Sequence, residues 1–164
     1  MMKDKEKTRE QLIAELILLR RRVTDLEITT RECQQLVRHL QERSKELSCM
    51  YAVTQTIDDP NLTLQEIYQL VADTLPSGWL YPEITRARIV IGERHFTTRG
   101  YKETEWKLSS DIVAKGAKIG ALEVYYLEPK PEMDLGPFLN AEWLLISIVA
   151  GRLGRITALM QPTP

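Results

Sequence analysis

Few residues of this 164-residue sequence have the type and spacing that metal binding or phosphotransfer requires. Cys33 and Cys49 are not spaced like zinc ligands or a disulfide framework. His95 falls on a predicted strand with no second His or Cys nearby. His39 lies on a predicted helix, where a phospho-accepting histidine of a sensor kinase would lie, but the residues after it, LQERS, lack that motif's acidic residue and proline. The sequence therefore predicts no metal site and no phosphotransfer at His39.

Two further patterns resemble catalytic arrangements only in part. Glu103 and Glu105 are two residues apart and could act as paired carboxylates, but they lie in a polar connection and are better explained as a solvated charge cluster. The glycines of the segment from Gly151 to Gly154 lie inside a predicted helix, without the lysine and hydroxyl residue of a phosphate-binding loop. We therefore expect neither catalysis nor a cofactor.

Composition narrows the function classes further. The net charge of −1 and pI near 6.2 argue against non-specific nucleic-acid binding, which needs a basic surface. The N-terminal residues MMKDKEKTRE do not form the apolar segment of a signal peptide. The longest apolar runs are too short to span a bilayer, which takes about 20 residues. We expect a soluble, cytoplasmic protein that binds neither nucleic acid nor membrane.

The clearest pattern is a heptad repeat between residues 12 and 47, in which apolar or small residues recur alternately three and four positions apart. This spacing is typical of the seam of a coiled coil. The seam positions that we assign to a dimer interface are Leu12, Leu16, Leu19, Val23, Leu26, Thr30, Cys33, Val37, Leu40 and Leu47, with Ser44 as a further polar member.

The residue types at the seam favour a parallel homodimer. With Leu12 at position d, the a positions include the β-branched residues Val23, Thr30 and Val37, and most d positions are leucine. This combination of residues favours a parallel coiled coil of two strands. Charged residues at g and e, such as Glu15 and Arg20 of the other chain, would attract each other in the same arrangement. The polar layers in the lower half weaken the seam and suit either a transmitting element or a tolerated imperfection.

Beyond residue 47 the pattern predicts a compact α+β domain. The first helix ends before Pro60, and a second begins at the capping box formed by Thr63 and Glu66. Period-two alternation then predicts four strands over 87–91, 94–99, 108–114 and 119–127. Tight turns at Gly92-Glu93 and Lys115-Gly116 connect them into two hairpins, and thus into an antiparallel sheet.

A final helix is predicted over 138–160, with Pro137 at or near its first turn. It is apolar on more than one side, so we expect one face to pack on the sheet and another on a second copy of the chain. The heptad-like stripe assigned to that second interface comprises Ile146, Val149, Leu153 and Ile156. The predicted division is a coiled-coil helix over 1–47, a globular domain over 48–160 and a tail over 161–164.

This arrangement resembles a compact GAF-like sensor domain preceded by the coiled-coil leader of prokaryotic signalling proteins. The stretches that carry the resemblance are LQEIYQLVADTLPSGWLYPEITRARIVIG, AKGAKIGALEVYYLE and FLNAEWLLISIVAGRLGRI, with KDKEKTREQLIAELILLRRRVTDLE as the leader. The resemblance implies a two-component type of signalling role, with a histidine kinase or another signalling protein as partner.

The connection over 100–105 is shorter than the one that builds the pocket of larger GAF domains. A small pocket would then be walled by four aromatic residues, which we assign as ligand-binding candidates: Trp79, Tyr81, Tyr101 and Trp106. The alternative for the aromatic segment over 79–84 is a loop whose rings plug the base of the core. The sequence thus predicts a non-catalytic dimeric sensor that transmits changes in helix packing. The alternative is a ligand-free protein-interaction adaptor or dimerisation scaffold.

Overall fold

The computed structural model describes residues 7–161. Its first element is a helix of 50 residues, α1 (Arg9–Asp58). The chain divides into two compact units, Met1–Gln41 and Glu42–Pro164, so α1 contributes to both. The division falls earlier than the predicted boundary after Leu47. The first six residues and the last three, which include most of the predicted tail, lie outside the described residues.

In the first unit, residues 9–41 of α1 form a helix whose side chains are nearly all exposed. The apolar seam residues share this exposure, and Leu26 is the most open of those before Cys33, at 65%. A helix in water derives most of its stability from packing an apolar face, and here that face has no partner within the unit.

The second unit begins with the last turns of α1, which end at Asp58 just before Asp59-Pro60, as the sequence predicts. Helix α2 (Leu64–Thr74) follows. Its capping box is confirmed: the Glu66 amide donates to the Thr63 hydroxyl over 3.3 Å, and the Glu66 carboxylate accepts from the Thr63 amide over 2.8 Å. A short 3-10 helix (Leu75–Gly78) then leads towards the sheet.

The sheet has four antiparallel strands: β1 (Thr85–Ile91), β2 (Arg94–Thr97), β3 (Lys107–Ala114) and β4 (Ala117–Tyr126). The strand order is β2-β1-β4-β3, so the two predicted hairpins join through β1 and β4. Both predicted turns have positive φ, +57° at Gly92, and +50° and +80° at Lys115 and Gly116, as tight hairpin turns require.

The last element, α3 (Asn140–Met160), covers the sheet and lies chiefly over β3 and β4. It begins three residues after Pro137, so the proline precedes the helix and does not occupy its first turn. Gly154 allows this contact, because a Cβ at that position would lie 2.0 Å from the Val113 carbonyl oxygen. The fold class is α+β, with a long N-terminal helix, an antiparallel four-stranded sheet and a C-terminal helix.

Among the described residues, α3 is the one helix long and apolar enough to cross a bilayer by length and composition. The same test is passed by core helices of soluble proteins. In this structure Ile146, Val149, Ala150 and Leu153 are buried in the hydrophobic core formed with α1, α2 and the sheet. The apolar character of α3 is thus accounted for in part by packing within the chain.

Candidate functional site

The four predicted ligand-binding aromatics do not line one pocket. Three of them pack with the core on the helix-covered side of the sheet: Trp79 is fully buried, and Tyr81 and Trp106 are partly buried against the same cluster. Tyr81 meets Tyr126 edge-on at a centroid distance of 5.7 Å. Trp79, Tyr81 and Trp106 therefore contribute to the base of the core.

Tyr101 lies on the opposite face of the sheet. Its ring meets Tyr125 edge-on at 5.3 Å, and Tyr125 and Tyr126 are consecutive residues of β4. Since successive side chains of a strand point to opposite faces, the rings of Tyr81 and Tyr101 are separated by the sheet. The sequence predicted this alternation within β4 but could not show which face each loop residue would cover.

The outer face of the sheet, where Tyr101 lies, carries a polar cluster around Glu123. The Glu123 carboxylate accepts from Arg88 Nε over 2.6 Å and from the Tyr125 hydroxyl over 2.9 Å, and Lys107 Nζ lies 3.4 Å away. Burial acts to raise the pKa of Glu123, but the hydrogen bonds from Arg88 and Tyr125 hold it below its ordinary value. The carboxylate is therefore held ionised and fully paired.

The connection between β2 and β3 closes over this cluster. The Arg88 guanidinium lies over the Tyr101 ring, 5.4 Å from the ring centroid, in a cation–π contact. The Glu103 carboxylate lies 3.6 Å from the same guanidinium. Thr104 anchors the connection by donating to the Tyr126 carbonyl over 2.7 Å. The cluster is thus occupied by the chain's own side chains, and it pins a loop across the sheet. An arginine opposite Glu123 could have been found from sequence only with the strand register in hand.

A second buried carboxylate, Glu142, lies on the core side at the start of α3. It accepts from three donors: the Leu80 amide over 2.8 Å, the Leu139 amide over 2.8 Å and the Tyr126 hydroxyl over 2.9 Å. Burial raises the pKa of Glu142, and the charge of Glu46 on α1 acts in the same direction. Glu142 therefore ties three segments together and caps α3, which is a structural use of a carboxylate.

The predicted interface on α3 needs correction. Ile146, Val149 and Leu153 are fully buried among the chain's own core residues, and Ile156 is half-buried against the same core. Ile146, Val149 and Leu153 are therefore not accessible to a second copy in this fold. The physical reason is that α3 is apolar on two sides, and the stripe assigned to a partner is the one that packs on the sheet.

In contrast to the buried stripe of α3, every seam residue of α1 is exposed. Among the apolar members the exposed fraction ranges from 40% at Leu12 to 70% at Leu47. Cys33 is an exposed free thiol within this stripe, whereas Cys49 is buried and its pKa is raised by that burial. The candidate functional site is therefore a helical surface and not a cleft.

No group of three or more His, Cys, Asp or Glu side chains within residues 7–161 is arranged to hold a metal ion. No protein-family model matches this sequence, and no curated protein is detectably similar to it.

Proposed function

We propose that the chain is a non-catalytic, parallel homodimeric signalling module of GAF-like type, in which α1 of each copy forms a coiled coil. In this role a change in the packing of the coil passes along α1 to the α+β domain and to α3. The protein acts in the cytoplasm. The receiver implied by the resemblance is a histidine kinase or another signalling protein.

The observation that carries the proposal is the unpartnered heptad stripe of α1. Leu19, Val23 and Leu26 each expose more than half of their surface in the single chain, at 52%, 52% and 65%. Burial of a Leu or Val side chain that is otherwise exposed to water is favourable by about 1.5–3 kcal/mol. Several layers of such residues therefore strongly favour a seam that is covered by another helix. The heptad spacing makes an identical helix the natural partner.

The polar layers at Thr30 and Cys33 support the transmitting role. Such layers cost stability at the centre of a seam, and two packings of similar free energy are what a switching element requires. They lie between the all-apolar upper part of the repeat and the point near Gln41 where the second unit begins.

The second candidate function is a ligand-free adaptor or scaffold that uses the coil only to dimerise. The separation of Tyr81 and Tyr101 onto opposite faces of the sheet supports it, because two of the four residues assigned to a ligand pocket do not face each other. A thermal-shift screen with small metabolites distinguishes the two: a ligand at 100 times its Kd stabilises the folded state by about 2.7 kcal/mol, whereas an adaptor shows no shift with any compound.

The seam itself is tested by a matched pair of substitutions in the full chain. Leu26→Lys places a charge at a d position, and Leu18→Lys places the same charge at an equally apolar position off the seam, where the side chain is 56% exposed. Sedimentation equilibrium should show a weakened dimer for Leu26→Lys and an unchanged one for Leu18→Lys. A monomeric parent, or equal effects of the two substitutions, would exclude the coil.

A further inference from the structure

Within the second unit, α1 and α3 lie side by side and run in the same direction. Cys49 on α1 and Leu145 near the N-terminal end of α3 both lie close to Gly78. A Cβ added to that glycine would lie 2.8 Å from the side chain of Cys49 and 3.0 Å from that of Leu145. Further along, the Arg152 guanidinium donates to the Thr54 hydroxyl. Residues near the end of each helix, among them Asp58 and Arg155, then line one shallow groove. The order of these contacts is that of two parallel helices.

Two apolar stripes adjoin on the outward side of this helix pair. Leu47 and Tyr51 precede Thr54 by seven and three residues, so they share its face of α1, and Ile148 precedes Arg152 by four residues on α3. Since Thr54 and Arg152 are in contact, the two stripes are neighbours. We call the surface formed by Leu47, Tyr51, Leu144 and Ile148 the outward helix face; its members are 70%, 69%, 53% and 42% exposed.

We propose that the outward helix face is a second self-association surface, covered by the same face of a second copy related by a two-fold axis parallel to the helices. This inference rests on the proposed coiled-coil dimer and adds to it a four-helix contact between the globular units. It replaces the stripe of Ile146, Val149 and Leu153 as the part of α3 that meets the partner.

Continuity with the seam argues for a second copy as the occupant. If Leu12 is at d, Leu47 and Tyr51 are the following d and a positions of the repeat, so this face continues the heptad pattern of the proposed coil. A two-fold axis parallel to the helices keeps each residue at its own height. Leu47 of one copy then lies at the same height along the axis as Leu144 of the other copy, and Tyr51 lies at the same height as Ile148.

Charge is complementary in the same arrangement. Asp58 and Arg155 lie at one height in the chain, and within the described residues neither forms an ion pair. The two-fold axis brings Asp58 of one copy to the level of Arg155 of the other, twice per dimer, as an isologous contact requires.

Gly151 supplies an independent observation. It is exposed in the interior of α3, where glycine disfavours the helix by about 1 kcal/mol relative to alanine. A Cβ there would meet nothing within 4 Å, in contrast to Gly154, so the chain itself gives no steric reason for the glycine. Close approach of a helix from a second copy, three residues beyond Ile148, would give one.

The test is chemical cross-linking of the full chain with a short bis-maleimide, in a Cys33→Ser background where the remaining Cys49 is buried. Ile148→Cys places a thiol on the outward helix face. Trp143→Cys is the matched control, because Trp143 has a similar exposed fraction of 48% but lies about 140° around the same helix. Sedimentation equilibrium on each variant reports whether the coiled-coil dimer is present.

The inference predicts a cross-linked dimer for Ile148→Cys and none for Trp143→Cys or the parent. A dimeric mass without a cross-link at residue 148 overturns the outward helix face and leaves the coil standing, as would happen if another protein or a lipid surface covered it. Equal cross-linking at both positions also overturns it, because random collision would explain that result. A monomeric mass in every variant overturns the coil and this surface together.

A second measurement does not depend on cross-linking. Leu144→Lys combined with Ile148→Lys should raise the dimer Kd by about tenfold or more, whereas Trp143→Lys should leave the Kd unchanged. Far-UV circular dichroism checks that the exposed substitutions leave the fold intact. An unchanged Kd for the double variant would overturn the proposal.

Discussion

At the scale of single residues, two buried carboxylates have opposite electrostatic surroundings. Glu123 is paired with Arg88 and Tyr125, which lowers its pKa despite burial, whereas Glu142 is held by neutral donors in a dry environment, and burial raises its pKa. Each pKa shift links protonation to folding, and the two act with opposite sign. Glu123 holds side chains together on the outer face of the sheet, and Glu142 joins the start of α3 to Leu80 and Tyr126 on the core side.

The raised pKa of Glu142 gives a pH dependence with a definite sign. Because the folded state binds this proton more tightly than the unfolded state, the contribution of Glu142 to stability is greatest below its unfolded pKa. It declines as the pH rises through the folded pKa. Urea unfolding of the parent and Glu142→Gln between about pH 4 and about pH 8 should therefore show the parent losing relative stability with rising pH. A constant difference between the two proteins would contradict this account.

The Glu123 cluster predicts a large cost for removing its cation. Arg88→Ala leaves a buried carboxylate without its strongest donor, so we expect a loss of about 3 kcal/mol in the free energy of unfolding. The control is Lys118→Ala, which removes a pair with Asp111 that is more than half exposed and should cost about 0.5 kcal/mol or less. Equal costs measured by urea unfolding would show that the cluster is not stabilising.

Residue patterns predicted hydrogen bonds between residues close in sequence. They did not predict contacts between residues far apart in sequence. The Thr63–Glu66 capping box was visible because both partners lie within one turn. The similar bond from Leu139 to Glu142 was missed, since leucine is not a usual cap residue. The pairing of Arg88 with Glu123 joins residues 35 positions apart and depends on the register of β1 and β4. The faces of the sheet that Tyr81 and Tyr101 cover could not be predicted for the same reason, because the direction of each loop decides them.

At the scale of elements, the sequence predicted the three α-helices and four strands but neither the short 3-10 helix (Leu75–Gly78) nor the use of each helix face. Glycines and the alternation of β4 located the hairpins, and their ends moved by only a few residues. Periodicity could not distinguish the two apolar sides of α3, because a helix that is apolar all round gives no dominant face. Burial resolved this: Ile146, Val149 and Leu153 pack inside, and Leu144 and Ile148 remain outside.

The two glycines of α3 should respond differently to alanine. Gly154→Ala forces a methyl group against the Val113 carbonyl oxygen, so we expect the free energy of unfolding to fall by about 2 kcal/mol or more. Within one copy Gly151→Ala meets open space and improves helix propensity, so the stability of the monomer should rise by about 1 kcal/mol. In the dimer the added methyl group should oppose the proposed close approach of the second copy. Thermal and urea unfolding measure both. A larger loss at Gly151 than at Gly154 would contradict the placement of α3 on β3.

At the scale of the whole molecule, the exposed surfaces argue for association. The first unit is a helix with an uncovered heptad stripe, and the second has an uncovered apolar face on α1 and α3. The two buried carboxylates, Glu123 and Glu142, are hydrogen-bonded by donors of the same chain. The function we propose rests on this distribution of exposed apolar side chains on α1 and α3.

Disulfide formation at Cys33 tests the central claim, a parallel coil in register, most directly. Cys33 is an exposed free thiol at a d position, so a parallel dimer places it opposite its own copy. With oxidised glutathione as oxidant, the full chain should form a covalent dimer on a non-reducing gel. Cys49→Ser should do the same, and Cys33→Ser should not. A monomeric mass by sedimentation without the disulfide would contradict the coil, and a dimeric mass without it would contradict the parallel, in-register arrangement.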